Sequence, residues 1–211
     1  MGWLEDKVEK WGRKIREFGG AAKSEKVLEG HEGLAEATPE GRADWSRRAM
    51  ERLAEVLPDE AARAEIMGAR ACVFVEEFGE EPLLELRALY RKDGLEAVFE
   101  AMERDREKHS RPYLEGNVIY ETKAPREPET MEAAATAEEK RAAYCHCPLA
   151  RAGAGTAPVA QPYCCCGGGW YEGIWKFILE RPVRVETVRS VMSGDDCCTF
   201  AVHLPPNAVK P

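Results

Sequence analysis

Two Cys-x-Cys pairs, Cys145 with Cys147 and Cys164 with Cys166, carry the chemistry of this sequence. They lie in the stretch from Tyr144 to Phe200, which holds seven of the eight cysteines. Thiolates from such pairs can collect one soft ion: Zn²⁺ is held tetrahedrally by four of them at about 2.3 Å, and Cu(I) suits an all-thiolate set equally well. Cys-x-Cys is tighter than the common Cys-x-x-Cys, so the same four thiols also read as buried neighbours with no ion. His146, between the first two cysteines, is placed to serve as base or ligand; His203 lies beyond the last of them. A metal-bound water or a cysteine thiolate would make this a hydrolytic centre. There is no Ser-His-Asp signature, phosphate loop or dinucleotide fingerprint to support serine acyl transfer, phosphoryl transfer or hydride transfer.

The elements that must position these residues follow from periodicity. After Tyr163 come three cysteines and Gly167 to Gly169, then a helical stripe with Trp170, Ile174, Phe177 and Ile178 on one face and Tyr171 and Trp175 on another. The glycines would let backbone N–H groups approach a bound group, and Trp170, Tyr171 and Trp175 would wall a ligand pocket. The equal alternative is a core helix whose glycines make only a turn. Val183 and Val185 alternate with Arg184 and Glu186 as in a half-buried strand, Ser193 to Asp196 turns it, and Cys198, Phe200, Val202 and Leu204 share one face of the return. Cys198 therefore points inward, as a candidate nucleophile or a small core residue.

Upstream, residues 3 to 18 read as an amphipathic helix ended by Gly19-Gly20, a peripheral arm suited to late docking or a homodimer contact. A connector follows to Gly41, with a short helix around Lys26. Asp44 is the expected cap of a helix to Leu57, Pro58-Asp59 restarts a helix over Glu60 to Phe78, and Pro82 to Arg91 and Leu95 to Glu107 complete a helical half. Cys72, alone in an Ala-rich helix, reads as packing. Tyr113 to Glu121 enters a sheet through Gly116-Asn117, and residues 122 to 140 read as a surface excursion. The expected architecture is α+β: helices from residues 44 to 107 on one face of a small antiparallel sheet built from 113 to 121, 183 to 191 and 197 to 204. The expected divisions are an arm and connector over 1–43, a helical subdomain over 44–112 and a cysteine-rich domain over 113–211.

With a net charge of −8 over 211 residues, a phosphate-backbone binder is not expected. Charges crowd the first 18 residues and no uncharged apolar run reaches 18, so neither an export signal nor a membrane span is expected. A reducing cytoplasm is the default, where cysteines act as ligands, nucleophiles or fillers before they act as disulfides.

Cys147-Pro148, Tyr163-Cys164 through Trp170, Val183 to Glu186 and the run Gly194 to Phe200 resemble the C-terminal half of bacterial proteins of the L-2-amino-thiazoline-4-carboxylic acid hydrolase-like family. More distantly they resemble the 4-vinyl reductase domain, whose closing hairpin also reads Gly-Asp-x-x-Cys-x-Phe. The resemblance spans about residues 113 to 204 and is cleanest at Cys147, Cys198 and Phe200. The first family implies ring-opening hydrolysis of a small cyclic amidine-like substrate with cysteines at the polar centre of its pocket; Cys198, with His146 from its own position between two cysteines, is then the catalytic candidate, and Cys147, Cys164 and Cys166 are expected to converge on it. The second implies a zinc-supported domain that binds a small apolar or aromatic molecule. Ser190 stands where the vinyl reductase type has a cysteine, which moves any metal toward Cys145, Cys147, Cys164 and Cys166. A non-catalytic sensor or carrier of a small ligand or soft metal is the alternative.

Overall fold

The computed structural model describes residues 2–106, 108–154, 159, 162–206 and 208. In chain order the elements are α1 (Trp3–Gly19), α2 (Ala21–Leu28), α3 (Pro39–Val56), α4 (Glu60–Ala69), α5 (Phe74–Phe78), α6 (Glu81–Asp93), α7 (Leu95–Arg104), β1 (Tyr113–Glu115), β2 (Val118–Thr122), α8 (Pro128–Ala133), α9 (Ala137–Tyr144), α10 (Cys165–Leu179), β3 (Arg184–Arg189) and β4 (Thr199–His203). The fold is α+β with a helical N-terminal half. Two compact units divide it, each assembled from three segments: Met1–Ala71, Pro125–Cys166 and Arg189–Cys197 form the first, and Cys72–Ala124, Gly167–Val188 and Cys198–Pro211 the second. No described helix is long and apolar enough to cross a membrane.

In the first unit, α1 buries Val8, Trp11 and Ile15, the stripe that its periodicity requires. Gly12 sits where α2 crosses it, and a Cβ there would lie 2.9 Å from Leu28 Cδ1. Helix α3 starts earlier than the expected cap at Asp44. The Thr38 hydroxyl accepts from the Gly41 N–H at 3.2 Å, and Pro39 occupies the first helical position, where its missing N–H costs nothing. Asp44 instead pairs with Arg47 and Arg48 on the surface. Helix α4 is capped as expected, by Asp59 through the Ala61 N–H at 2.9 Å, but stops at Ala69 rather than running on to Phe78. The Arg70 and Ala71 N–H groups reach back three residues, to Met67 and Gly68, tightening the last turn. Val73, extended and β-branched, stands between the two helices, and the next begins at Phe74. Residues 122 to 140 are not a plain excursion. They hold α8 and the first half of α9, which opens with a capping box between Thr136 and Glu139.

In the second unit the four strands are ordered β1-β2-β4-β3. The expected first strand is itself a hairpin, turned at Gly116 with a left-handed φ of 60°, and β2 runs antiparallel to β4 with Ile119 opposite Val202 and Glu121 opposite Phe200. The strands expected at 183 to 191 and 197 to 204 are present and adjacent, but trimmed. Their connection carries a 3-10 turn, Val191–Ser193, closed where the Asp195 carboxylate accepts from the Ser190 N–H at 2.8 Å and Gly194 takes a φ of 94°. Of the helices in residues 44 to 107, only α5 to α7 belong to the unit that holds the sheet; α3 and α4 belong to the first. The expected end of the last of them, Glu107, lies outside the described residues.

Helix α10 corrects the reading of the glycine run. It begins at Cys165, so Gly167, Gly168 and Gly169 are helical residues. Gly167 lies under the Phe200 ring, and a Cβ on Gly168 would sit 3.5 Å from Val185. These glycines let a helix pack close on strands.

Candidate functional site

The first unit encloses a guanidinium. Arg70 is the C-cap of α4 and only 2% exposed, and no Asp or Glu pairs with it among the described residues. Its Nη2 donates to Tyr163 Oη at 2.8 Å and approaches Cys147 Sγ at 3.9 Å. Its carbon lies 4.8 Å from the centre of the Trp11 ring and 4.6 Å from that of Tyr163. Each desolvated cation–π contact of this kind is worth about 2 kcal/mol. Arg70 Nε and Nη1 are buried without a hydrogen-bond partner among the described residues, and each such orphan donor costs about 1–3 kcal/mol.

Five segments of the first unit converge to build this cluster. Trp11 comes from α1, edge-on to Trp45 with ring centres 5.8 Å apart. Ser46, on α3, donates to the Leu149 carbonyl at 2.8 Å, which fixes the turn that carries Cys147 just after α9. Tyr163 Oη lies 3.5 Å from Ser46 Oγ, to which it donates, and 3.3 Å from Cys147 Sγ. With its proton committed to Ser46, the phenol oxygen is left to accept from Arg70 and from the thiol. Cys166, in the first turn of α10, adds a second sulfur in the field of Arg70.

Burial opposes the charge of Arg70, but Tyr163, Cys166 and Cys147 outweigh it and hold the guanidinium pKa above its ordinary value. Burial drives the Tyr163 phenol well above the ordinary tyrosine range, against the pull of Arg70. At neutral pH the cluster is therefore a charged guanidinium facing a neutral phenol, with the sulfurs of Cys147 and Cys166 beside it. A buried guanidinium of this kind stabilises negative charge that develops on a neighbouring sulfur or oxygen.

The residues expected to form a site are distributed more widely. Cys147 and Cys166 meet at Arg70. Cys164 accepts instead from the Ser190 hydroxyl at 2.9 Å, Cys145 is buried at the end of α9, and His146 is exposed between Cys145 and Cys147. Among the described residues no three His, Cys, Asp or Glu side chains are placed to hold one ion. Of Cys145, Cys147, Cys164 and Cys166, the arrangement brings two, Cys147 and Cys166, to the guanidinium. The fixed positive charge of Arg70 beside two of them opposes a second cation.

Cys198 belongs to the second unit, buried just ahead of β4, where its carbonyl accepts from the Lys123 N–H at 3.1 Å. So do the three aromatic residues expected to line a pocket. Tyr171 packs on Phe200 with ring centres 5.1 Å apart, and Trp175 is fully buried edge-on to Phe99. Trp170 is half-buried against Phe74 and Phe78. His203 pairs with Glu186 at 3.0 Å.

Sequence reading missed two groups in the second unit. Glu121, 1% exposed, accepts from Trp175 Nε1 at 2.8 Å and bonds the Ser110 hydroxyl, with no cation paired to it among the described residues; burial raises its pKa to about 7 against both hydrogen bonds. His109 lies flat on Phe74, and burial lowers its pKa. The two-residue period of β2, which puts Glu121 on the face of Ile119, was the available signal. For Arg70 there was none, since it follows an ordinary Ala-rich helix. No family model, no curated protein and no solved structure matches this chain.

Proposed function

We propose that the protein is a cytoplasmic small-molecule hydrolase whose centre is the Arg70–Tyr163–Cys147 cluster, acting on a small cyclic amidine-like C–N heterocycle. The observation that carries this reading is Cys147 Sγ held 3.3 Å from a buried phenol and 3.9 Å from a buried guanidinium that no carboxylate among the described residues neutralises. A thiol so placed is activated for attack because the cation stabilises the negative charge that collects on sulfur. In the proposed reaction the sulfur bonds to the amidine carbon, the ring nitrogen takes the thiol proton and leaves, and water then cleaves the carbon–sulfur bond and restores the thiol. Arg70 Nε and Nη1 supply donors for an oxygen of the substrate or of the intermediate. Cys147 thus takes the nucleophile's role assigned above to Cys198, and no base is assigned to His146.

The test is a screen of small cyclic amidines with wild type, Cys147→Ser and Cys198→Ser side by side. Cys147→Ser is expected to lower kcat/KM by about 10³-fold, while Cys198→Ser leaves it within about twofold. Iodoacetamide labelling followed by peptide mapping gives a second readout. Cys147 is expected to label at least about tenfold more slowly in Arg70→Met than in wild type. Equal labelling rates, with turnover unaffected at Cys147, would discard the reading.

The second reading is a non-catalytic sensor or carrier of a small ligand, favoured by the near-complete enclosure of Arg70. Binding without turnover would select it. Elemental analysis of protein purified without chelator is expected to find far less than one equivalent of zinc or copper. A full equivalent that is lost in Cys147→Ser would restore the thiolate-metal reading in place of the guanidinium-centred one.

A further inference from the structure

We propose that the groove between α1 and α2 is the docking site for a basic amphipathic helix of a partner protein. The groove encloses about 600 Å³ between the N-terminal half of α1 and the C-terminal end of α2, within one unit. Leu4, Val8 and Leu28 form its apolar floor, and Glu9, Glu25 and Glu29 stand exposed on its rim. These three carboxylates have no basic partner among the described residues. The carboxylates on other faces of α1 are paired: Asp6 with Lys10 at 3.0 Å and Glu17 with Lys14 at 2.9 Å. The arm therefore neutralises its own acids except where they border the groove, and a ligand that matches it must bring cations to the rim and apolar groups to the floor.

The length of the groove identifies that ligand as a helix. Leu4, Val8 and Gly12 recur every fourth residue, and the row runs on to Arg16, a cation of the lining outnumbered by its glutamates, a span of about 18 Å or three helical turns. Leucines at i, i+4 and i+8 of a partner helix would lie along such a floor, with lysine or arginine at the flanking positions facing the glutamates, the helix-in-groove mode of recognition. The net charge of −8 would speed the encounter.

The probe is a fluorescein-labelled 14-residue helical peptide with leucines at that spacing and lysines on either side, followed by fluorescence anisotropy on the full chain. It is expected to bind with Kd near 10 µM, an order-of-magnitude figure for a short helix-in-groove contact, and to weaken as salt is raised. The triple variant Glu9→Gln, Glu25→Gln, Glu29→Gln is expected to weaken it about tenfold. Glu60→Gln, Glu129→Gln, Glu132→Gln makes the same change in net charge at three exposed sites outside the groove and is expected to leave Kd within about twofold. Val8→Lys, which spoils the floor, is expected to abolish binding, with the wild-type circular dichroism spectrum as the check on folding. Equal weakening in the two triple variants, no binding to wild type, or a self-dimer that covers the groove and excludes the peptide would each overturn the proposal.

Discussion

Glu121→Gln is expected to stabilise the protein by about 3 kcal/mol at pH 8 and to change little near pH 4. The folded carboxyl keeps its proton up to about pH 7, because burial penalises its charge more than the Trp175 and Ser110 hydrogen bonds favour it. In the unfolded chain the same group ionises near its ordinary value of 4.5. Between these two values the folded state binds the extra proton, so this group makes stability fall as pH rises through the interval, with the full penalty present above pH 7. A glutamine mimics the protonated acid: its carbonyl accepts from Trp175 Nε1 and its amide donates to Ser110 Oγ. Urea midpoints for wild type and variant at pH 4, 6 and 8 would show the curves diverging with pH. Parallel curves would mean that Glu121 is ionised inside the folded protein, by water or by a cation that reaches it.

Gly167→Ala is expected to destabilise by about 2–3 kcal/mol, although alanine is the better helix former by about 1 kcal/mol. The new Cβ would fall on Phe200 Cζ and within 3.0 Å of Cε1, and the Phe200 ring, 2% exposed and packed on Tyr171, has no room to withdraw. Gly173, on the same helix, has nothing within 4 Å of its Cβ position. Gly173→Ala is therefore expected to stabilise by about 0.5–1 kcal/mol. Thermal unfolding of the two variants reads opposite signs from one substitution type in one helix. A neutral Gly167→Ala would mean that α10 shifts freely over the sheet.

Local rules carried much of the fold. The α1 stripe of Val8, Trp11 and Ile15 follows from a helical period and the strands β2 and β4 from an alternating one, while their pairing with each other was settled by the fold. Thr38-Pro39 and Thr136 with Glu139 are start signals of equal quality, and their physics is local: a hydroxyl satisfies an orphan N–H, and a proline is tolerated at the first turn. What periodicity could not say was where α4 would stop. An Ala-rich stretch favours continuing the helix, and the end at Ala69 coincides with the burial of Arg70 between two aromatic rings 59 and 93 positions away along the chain.

The sequence by itself determined that the chain has a helical half and a small sheet, and that thiols concentrate near its C-terminal third. Only the tertiary structure decided which thiols meet a charge. Cys147 and Cys166 share Arg70 because the turn after α9, the start of α10 and the end of α4 come together. Cys164 takes the Ser190 hydroxyl instead, and Cys198 is built into the second unit. Cys-x-Cys spacing fixes only the distance along the backbone. Which cation the sulfurs face is set by contacts between residues dozens of positions apart, and a buried guanidinium leaves no mark on the residues beside it in sequence.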